Sequence, residues 1–323
     1  MAFYLVTGGA GFIGSHVVER LLMDGHRVRV VDDFSSGRKE NLTFGPPVDT
    51  SHLEVIEGDL RDLDLISRAA ADVEGIFHLG AVPSVNRSVK DPITTTEVNV
   101  IGTLNVLKAA SDNGAGRVVF ASSSSVYGGK ADGRLLTEEE VGVPLSPYAL
   151  SKKAGEEYMQ LFSHLYDLKT VCIRYFNVFG PRQDPQGEYA AVIPRFITFA
   201  LRGEALPIYG DGRQTRDFTY IDNVVAGTTL AMQAPIEGGE VINVAAGTPY
   251  SLLELVEALE GVLGRKLEVV HLPPRPGDIR HSAANIALSG ARLGYSPTVS
   301  FAQGLKDTVE AFRSTSSKAA AST

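Results

Sequence analysis

The chain has 323 residues, 44% of them hydrophobic, enough to bury a large core at the upper size of one domain or in two lobes sharing a cleft; two lobes are expected. Its formal net charge of −8 argues against nucleic acid or an anionic membrane as partner, so an anionic ligand has to be held by local groups. The single cysteine, Cys172, excludes an intramolecular disulfide and reads as a buried strand residue. No apolar run nears the ~18 residues of a membrane helix and no secretory signal precedes the first strand, so a soluble, cytoplasmic protein is expected.

Along the first half, short apolar runs at Phe3 to Thr7, Val28 to Val31, Leu53 to Glu57, Ile76 to Leu79, Val118 to Ala121 and Thr170 to Arg174 alternate with helical patterns. Continuous hydrophobicity predicts strands covered on both faces, as in a parallel sheet flanked by helices. Phe12 to Met23 sets Ile13, Val17, Val18 and Leu21 on one helical face and stops at Gly25. Thr96 to Ala110 repeats the pattern with Val98, Ile101, Leu104 and Leu107, and Asn113-Gly114 ends it. The fold class that follows is α/β, a Rossmann-type doubly wound parallel sheet.

After Arg174 the alternation breaks into turns at Gly180-Pro181, Asp184-Pro185 and Gly210-Asp211-Gly212, where a smaller mixed α/β lobe begins. A helix is expected near Leu252 to Leu263, a strand at Leu267 to His271, a Pro-rich loop at Pro273 to Gly277 and a last helix near Phe301 to Arg313. The resulting division is residues 1–175 for the nucleotide lobe, with part of 215–245 returning to it, 176–314 mainly for the second lobe, and a disordered tail at 315–323.

Gly8-Gly9-Ala10-Gly11-Phe12-Ile13-Gly14 follows the first strand and opens a helix, the spacing of a dinucleotide fingerprint. Gly8 allows the tight turn, Gly11 lets the backbone approach a pyrophosphate and Gly14 permits close packing of a helix whose N-terminus offers free N–H groups. Asp32, about twenty residues on, can accept from the adenosine ribose hydroxyls. A 2′-phosphate about 4 Å from that carboxylate would meet a penalty of ~4 kcal/mol at an effective dielectric of 20, which favours NAD over NADP. Arg38 is the counter-argument, either reaching such a phosphate or standing solvated in its loop. Asp59 can bond the adenine amino group or cap its own loop.

Tyr148-Ala149-Leu150-Ser151-Lys152 puts a phenol and an ammonium on adjacent turns of one helix face. A free tyrosine with pKa ~10 is almost entirely protonated at neutral pH, and a nearby cation can lower it by ~1 to 3 units, so Lys152 is expected to make Tyr148 a usable base. The pair alone is a weak motif. Hydroxyls of Ser122, Ser123, Ser124 and Ser125 emerge beyond the fifth strand, where parallel sheets place their ligands; one can relay a proton while the others form a polar strand exit.

The glycine fingerprint, the serine run with Val126-Tyr127-Gly128, Tyr148 to Lys152 and Arg174-Tyr175-Phe176-Asn177 together resemble an extended short-chain dehydrogenase/reductase, and within it the UDP-sugar 4-epimerases. The likeness covers nearly the whole chain, and Arg174 to Ile193 is similar to bacterial UDP-N-acetylglucosamine 4-epimerases. It implies Ser123 as the catalytic hydroxyl, Tyr148 as base and Lys152 on the nicotinamide ribose. Asn99 and Tyr175 would complete the nicotinamide side, and Phe12, Ile13, Ser36, Gly37, Leu60, Leu79 and Ala81 would line the rest of the cofactor. For the substrate it implies Asn177 at the diphosphate, Tyr209 near uracil, Arg216 and Arg275 on phosphates, Asp278 on a ribose, Val192 against the substrate, and Ser282 as a small residue at the size-selecting position. Arginines suit phosphates because their planar fork forms paired, charge-assisted hydrogen bonds.

The implied reaction is reversible inversion of a UDP-hexose at C4 through a transient 4-keto sugar on tightly held NAD, with UDP-GlcNAc and UDP-GalNAc expected beside or above UDP-Glc and UDP-Gal. Dehydratases of this family carry Thr-Asp-Glu where this chain has Ser123-Ser124-Ser125, and decarboxylases a glutamate at the last position, so both rank lower. UDP-glucuronate 4-epimerases show threonine where Asn177 stands. A non-catalytic NAD sensor is the reading from another class; it has no need of Ser123, Tyr148 and Lys152 together. The seven histidines show no metal-ligand spacing, and no metal is expected. The family likeness also suggests a homodimer; helices around Thr96 to Ala110 and Tyr148 to Tyr166 can pair across a two-fold axis, and their apolar faces fit the intrachain core equally well.

Overall fold

The computed structural model describes residues 1–129, 133–185, 191–274 and 279–321, with side chains as far as Ser314 in the last stretch. Strand β1 (Phe3–Thr7) leads into helix α1 (Phe12–Met23), β2 (Arg27–Asp32), β3 (Leu53–Glu57), α2 (Leu63–Ala69) and β4 (Gly75–His78). Short helices α3 (Val85–Lys90) and α4 (Pro92–Thr96) precede α5 (Gly102–Asp112), and then come β5 (Arg117–Ser123), α6 (Pro147–Tyr166) and β6 (Lys169–Tyr175). These strands form a wholly parallel sheet in the order β3-β2-β1-β4-β5-β6, and a seventh strand from later in the chain joins its β6 edge.

All six expected strands are present. Four positions of β1 and six of β6 are buried, as continuous hydrophobicity requires. The β3 strand differs: it is an edge, and Glu54 and Val55 face solvent although the sequence run suggested cover on both sides. Helix α1 buries Val17, Val18, Leu21 and Leu22 and ends before Gly25, whose φ of +78° is the left-handed stop expected there.

The expected helix from Thr96 is interrupted. Glu97–Ile101 forms a π turn between α4 and α5, a geometry that hydrophobic periodicity does not encode. Its cause is tertiary: the buried Asn99 amide accepts from Val82 N at 2.7 Å and donates to Ser151 Oγ at 3.0 Å, and Thr103 Oγ1 takes up the Asn99 carbonyl at 2.7 Å. Helix α6 begins at Pro147 because Ser146 caps it through Ala149 N and proline fits the first helical position.

Past β6 the chain forms β7 (Val178–Phe179), α7 (Val192–Arg202), β8 (Leu206–Tyr209), β9 (Thr215–Asp217), β10 (Thr219–Tyr220) and α8 (Ile221–Gln233). Strand β11 (Glu240–Val244) returns to pair with β6 as the seventh strand of the main sheet. Then follow β12 (Pro249–Ser251), α9 (Leu252–Leu263), β13 (Val269–Leu272), β14 (His281–Ser282), α10 (Ala287–Leu293) and α11 (Phe301–Ala321). The last helix runs from Phe301 to Ala321. One apolar cluster runs from Val17 and Val28 of the sheet layer through Ile208 and Leu255 to Leu305 and Val309, so the second lobe shares the core of the first. The opposite face of the sheet packs Ile66, Leu107, Phe162 and Cys172.

Candidate active site

The glycine loop joins β1 to α1 at the C-terminal edge of the sheet, where the strand order reverses between β1 and β4. Gly8 has φ +67°, and a Cβ on Gly14 would lie 2.1 Å from the Gly8 carbonyl oxygen, so neither position takes a larger residue without moving the loop. A Cβ on Gly11 would meet only that same oxygen, at 3.1 Å, which leaves the face of the loop open to a phosphate. No side chain caps α1 and no acid stands in its first turn, so its N–H groups and dipole suit an anion.

Asp32, at the end of β2, accepts from Ala10 N and Phe34 N, each at 2.9 Å; burial raises its pKa and those two hydrogen bonds oppose the rise. Gly37 is buried beside it while Ser36 is exposed. Arg38 forms an ion pair with Asp184 at 3.2 Å, which fits the loop reading of Arg38 better than the phosphate one. Asp59 is bonded by Arg61, whose guanidinium also reaches Glu97; that pair holds the Asp59 carboxyl below its usual range. Leu60 is buried, and Phe12, Ile13, Leu79 and Ala81 are half-buried near the same strand ends. These residues fit a dinucleotide laid across the strand ends.

At the end of β5 the structure brings the expected reacting groups together. Ser123 Oγ accepts from Ser125 N at 3.1 Å and lies near enough to the Tyr148 phenol to draw its pKa down. Lys152 is 4% exposed, and its Nζ donates to the Ala121 carbonyl at 2.7 Å, 6.0 Å from the Tyr148 ring centre. The expected lowering of the phenol pKa is corrected. Burial is the larger influence on Tyr148 and pushes it up, with the Ser123 hydroxyl pulling the other way, while the ammonium donates to the Ala121 carbonyl. Burial also brings Lys152 down to about 8, opposed by Glu156.

Asn99 lies behind this group through Ser151, one residue before Lys152. Tyr175 is the sheet neighbour of Ser123, but its hydroxyl turns to Thr228 Oγ1 at 2.7 Å in the core, so only its ring remains for the nicotinamide side expected of it. Of the other serines, Ser122 donates to Glu156 at 2.5 Å, and Ser125 Oγ is buried without a partner among the described residues.

A cavity of about 260 Å³ opens in the second lobe beside these strand ends, lined by Asn177, Val192, Tyr209 and Arg216 among others. Asn177 has φ +32° and donates to the Asp217 carbonyl at 3.3 Å. Ser282 is outside the cavity lining but stands beside Arg216 in the β14–β9 register. Arg275 and Asp278 lie outside the described residues.

Sequence reasoning missed several groups. Arg195 and Gln214 line the cavity, and Gln214 Nε2 holds the Tyr209 carbonyl at 2.7 Å; no motif spacing marks either. Ser88 is fully buried and accepts from Tyr148 N at 3.0 Å, fastening the first turn of α6. Glu156 could have been found, because it continues the four-residue spacing of Tyr148 and Lys152.

A seven-stranded parallel sheet with a glycine loop at its switch point and a serine, tyrosine and lysine at the end of the fifth strand define a dinucleotide-dependent enzyme of the α/β class. The chain belongs to the NAD dependent epimerase/dehydratase family, whose model matches residues 4–245. It is 44% identical over 315 residues to a UDP-glucose 4-epimerase from Mycolicibacterium smegmatis, covering 97% of this chain and 99% of that one. It is similar to the UDP-N-acetylglucosamine 4-epimerase from Methanobrevibacter ruminantium, solved with UDP-N-acetylmuramic acid, at TM-score 0.91 and 40% identity over 97% of this chain and 99% of the other. The Thermus thermophilus UDP-glucose 4-epimerase, solved with NAD, matches at TM-score 0.86 and 37% identity over 96% and 99%.

Proposed function

We propose that the protein interconverts UDP-hexoses that differ at C4, and that it takes UDP-GlcNAc and UDP-GalNAc, with or without UDP-Glc and UDP-Gal. The observation that carries this reading is the convergence of Ser123, Tyr148 and buried Lys152 at the end of β5, with hydroxyls rather than acids at 124 and 125. A dehydration or decarboxylation needs a further acid or base next to the oxidised carbon, and a serine hydroxyl is too weak an acid for that step. The relatives and structural neighbours named as UDP-sugar 4-epimerases support the same choice.

Gly8, Gly11 and Gly14 with the N-terminus of α1 would hold the pyrophosphate of NAD, Asp32 its adenosine ribose, and Lys152 with Asn99 the region of the nicotinamide ribose. When bound, NAD supplies the oxidation of C4 and its reversal, so the overall reaction is redox-neutral. Tyr148 takes the proton of the 4-hydroxyl and returns it after the sugar has turned over. Ser123, whose oxygen is fixed by Ser125 N, has its own proton free to steady the charge on that phenol oxygen. Because burial raises the Tyr148 pKa, the phenolate form depends on positive charge next to it, and Lys152 is the nearest basic side chain on the same helix face. Asn177, Tyr209 and Arg216 keep the UDP end fixed while the sugar rotates.

Ser282 supports room for an N-acetyl group, since a serine beside Arg216 fills little space. The exposed Val89, Ile93, Leu150, Leu165 and Tyr166 on the adjoining helices α3, α4 and α6 support a homodimer paired through these helices. The deciding experiment incubates purified protein without added cofactor with UDP-GlcNAc and, separately, UDP-Glc, and follows C4 inversion by proton NMR. Inversion of UDP-GlcNAc, abolished by Ser282→Tyr with UDP-Glc turnover kept, is the expected result. Inversion of UDP-Glc alone overturns the substrate reading and keeps the reaction. No inversion of either, even with NAD supplied, overturns both.

A further inference from the structure

Tyr148, Lys152 and Glu156 recur every four residues along α6 and share one face of it. Each engages one of three successive residues at the end of β5. The Tyr148 phenol lies by the Ser123 hydroxyl, Lys152 Nζ donates to the Ala121 carbonyl at 2.7 Å, and Ser122 Oγ donates to Glu156 Oε1 at 2.5 Å. The helix comes this close because residue 155 is glycine: a Cβ there would lie 2.5 Å from Phe120 Cζ.

Two of these three links use groups of the proposed reaction, and the third does not. Glu156 is 4% exposed and Arg174, reaching it from β6, is 2% exposed; Nε donates to Oε1 and Nη2 to Oε2, both at 2.8 Å. Arg174 also donates to Tyr127 Oη at 3.0 Å, and Tyr127 donates to Asn243 Oδ1 at 2.6 Å on β11. The carboxylate thus ties β5, at the residue before Ser123, to β6, and Arg174 carries the link on through Tyr127 to β11. Holding a helix on a sheet needs no such pair, since apolar residues of similar volume do it equally well.

We propose that Glu156 is a positioning residue for the reaction: through Ser122 and Arg174 it fixes the ends of β5 and β6 on the helix face that carries Tyr148 and Lys152, with its negative charge one turn from the ammonium. This rests on the reading of Ser123, Tyr148 and Lys152 as the reacting set. Around Lys152 stand Glu156 and Tyr148 from its own helix, Cys172 from β6 and His78 from β4. Burial pushes the Cys172 thiol well up and the His78 imidazole down to about 3, so both are uncharged near neutrality. Among the described residues, Glu156 is then the anion acting on the ammonium.

The test measures C4 inversion across pH with protein carrying its NAD. Ser122→Ala removes one hydroxyl and no charge; kcat is expected to fall ~10-fold with KM unchanged, short of the ~100-fold that an ångström of misplacement costs. Glu156→Gln combined with Arg174→Met removes both charges and leaves none buried alone. It is expected to lower kcat and move the alkaline limb of the pH profile to lower pH, because the ammonium has lost its anionic neighbour. Wild-type kcat and an unmoved limb in the folded double variant overturn the proposal, as does a parallel fall of kcat and Tm with the limb in place. Should the double variant not fold, unchanged kcat in Ser122→Ala overturns it. Tyr148→Phe in the same assay separates the two readings. If that variant turns over at the wild-type rate the reacting set is wrong; if it is inactive while the Ser122 and Glu156 variants match wild type, only the positioning role fails.

Discussion

The ammonium of Lys152 donates to the carbonyl of Ala121, two residues before Ser123, at 2.7 Å. The lysine is therefore part of the same strand end as the serine rather than a loose cation near the phenol. Burial brings its pKa down from 10.5 to about 8, and Glu156 holds it from falling further. A base with a lowered pKa loses its charge early as pH rises, so the ammonium disappears as pH passes about 8. Wild-type turnover is expected to fall through that range in a pH–rate profile. Lys152→Met should show a low rate at every pH and no such limb; a wild-type profile flat to pH 10 sinks this assignment.

Gly14 makes a second, steric prediction. Alanine there puts a Cβ 2.1 Å from the Gly8 oxygen and 2.8 Å from Gly9 Cα, so the loop that would cradle the pyrophosphate has to shift. Overpacking of this kind costs ~1 to 3 kcal/mol. Purified Gly14→Ala is expected to melt lower and to have lost its NAD, read as nucleotide released on denaturation. Gly25→Ala is the control: its φ of +78° makes alanine strained, but a Cβ there meets nothing within 4 Å. It should lower Tm and keep NAD.

Much of this was legible because the first half of the chain obeys local rules. Phe3 to Thr7 and Val118 to Ala121 are apolar without interruption because both faces of those strands are covered, and the glycine loop and the Tyr148–Lys152 spacing report backbone and helix geometry directly. What was not legible depends on partners far along the chain. The π turn at Glu97–Ile101 is set by Asn99 reaching Val82 and Ser151, and Asn99 looks like any polar helical residue in sequence. Glu156 continues the Tyr148–Lys152 spacing in sequence, but only the fold brings Arg174 and Ser122 around its carboxylate. The direction of the Tyr148 shift was misjudged for a related reason: spacing placed the cation near but could not show that Ala121 holds it, or that burial outweighs it.

Asp217 gives a prediction for stability. It is fully buried in β9 and accepts from Ala246 N and Gly247 N, each at 2.9 Å, and from Ala284 N at 3.2 Å, while its carbonyl takes the Asn177 amide. Burial raises its pKa to about 6 from 3.8, against those hydrogen bonds. The folded state thus binds this proton more tightly than the unfolded chain, so stability from Asp217 falls as pH rises from about 4 to 6 and stays low above. Two units correspond to ~3 kcal/mol. Urea denaturation of wild type and Asp217→Asn across pH 4 to 7 should show the wild type losing ground to the variant by that order. A constant difference between them would refute the assignment.

The α3, α4 and α6 face yields the last prediction. Ile93 is 71% exposed, Val89 63%, and Leu150 and Leu165 58% each, all on helices that pack against one another. Scattered apolar side chains are ordinary on a surface, but several on adjoining helices suit a contact that removes them from water. A two-fold axis through such a contact pairs it with itself, so one substitution acts twice in the dimer. Leu165→Glu places a charge in that contact without touching Ser123, Tyr148 or the glycine loop. Sedimentation should find wild type as a dimer and the variant shifted to monomer at equal concentration, with the far-UV spectrum unchanged. A wild-type monomer at working concentrations removes the dimer reading, and a Leu165→Glu protein still fully dimeric moves the contact to another face.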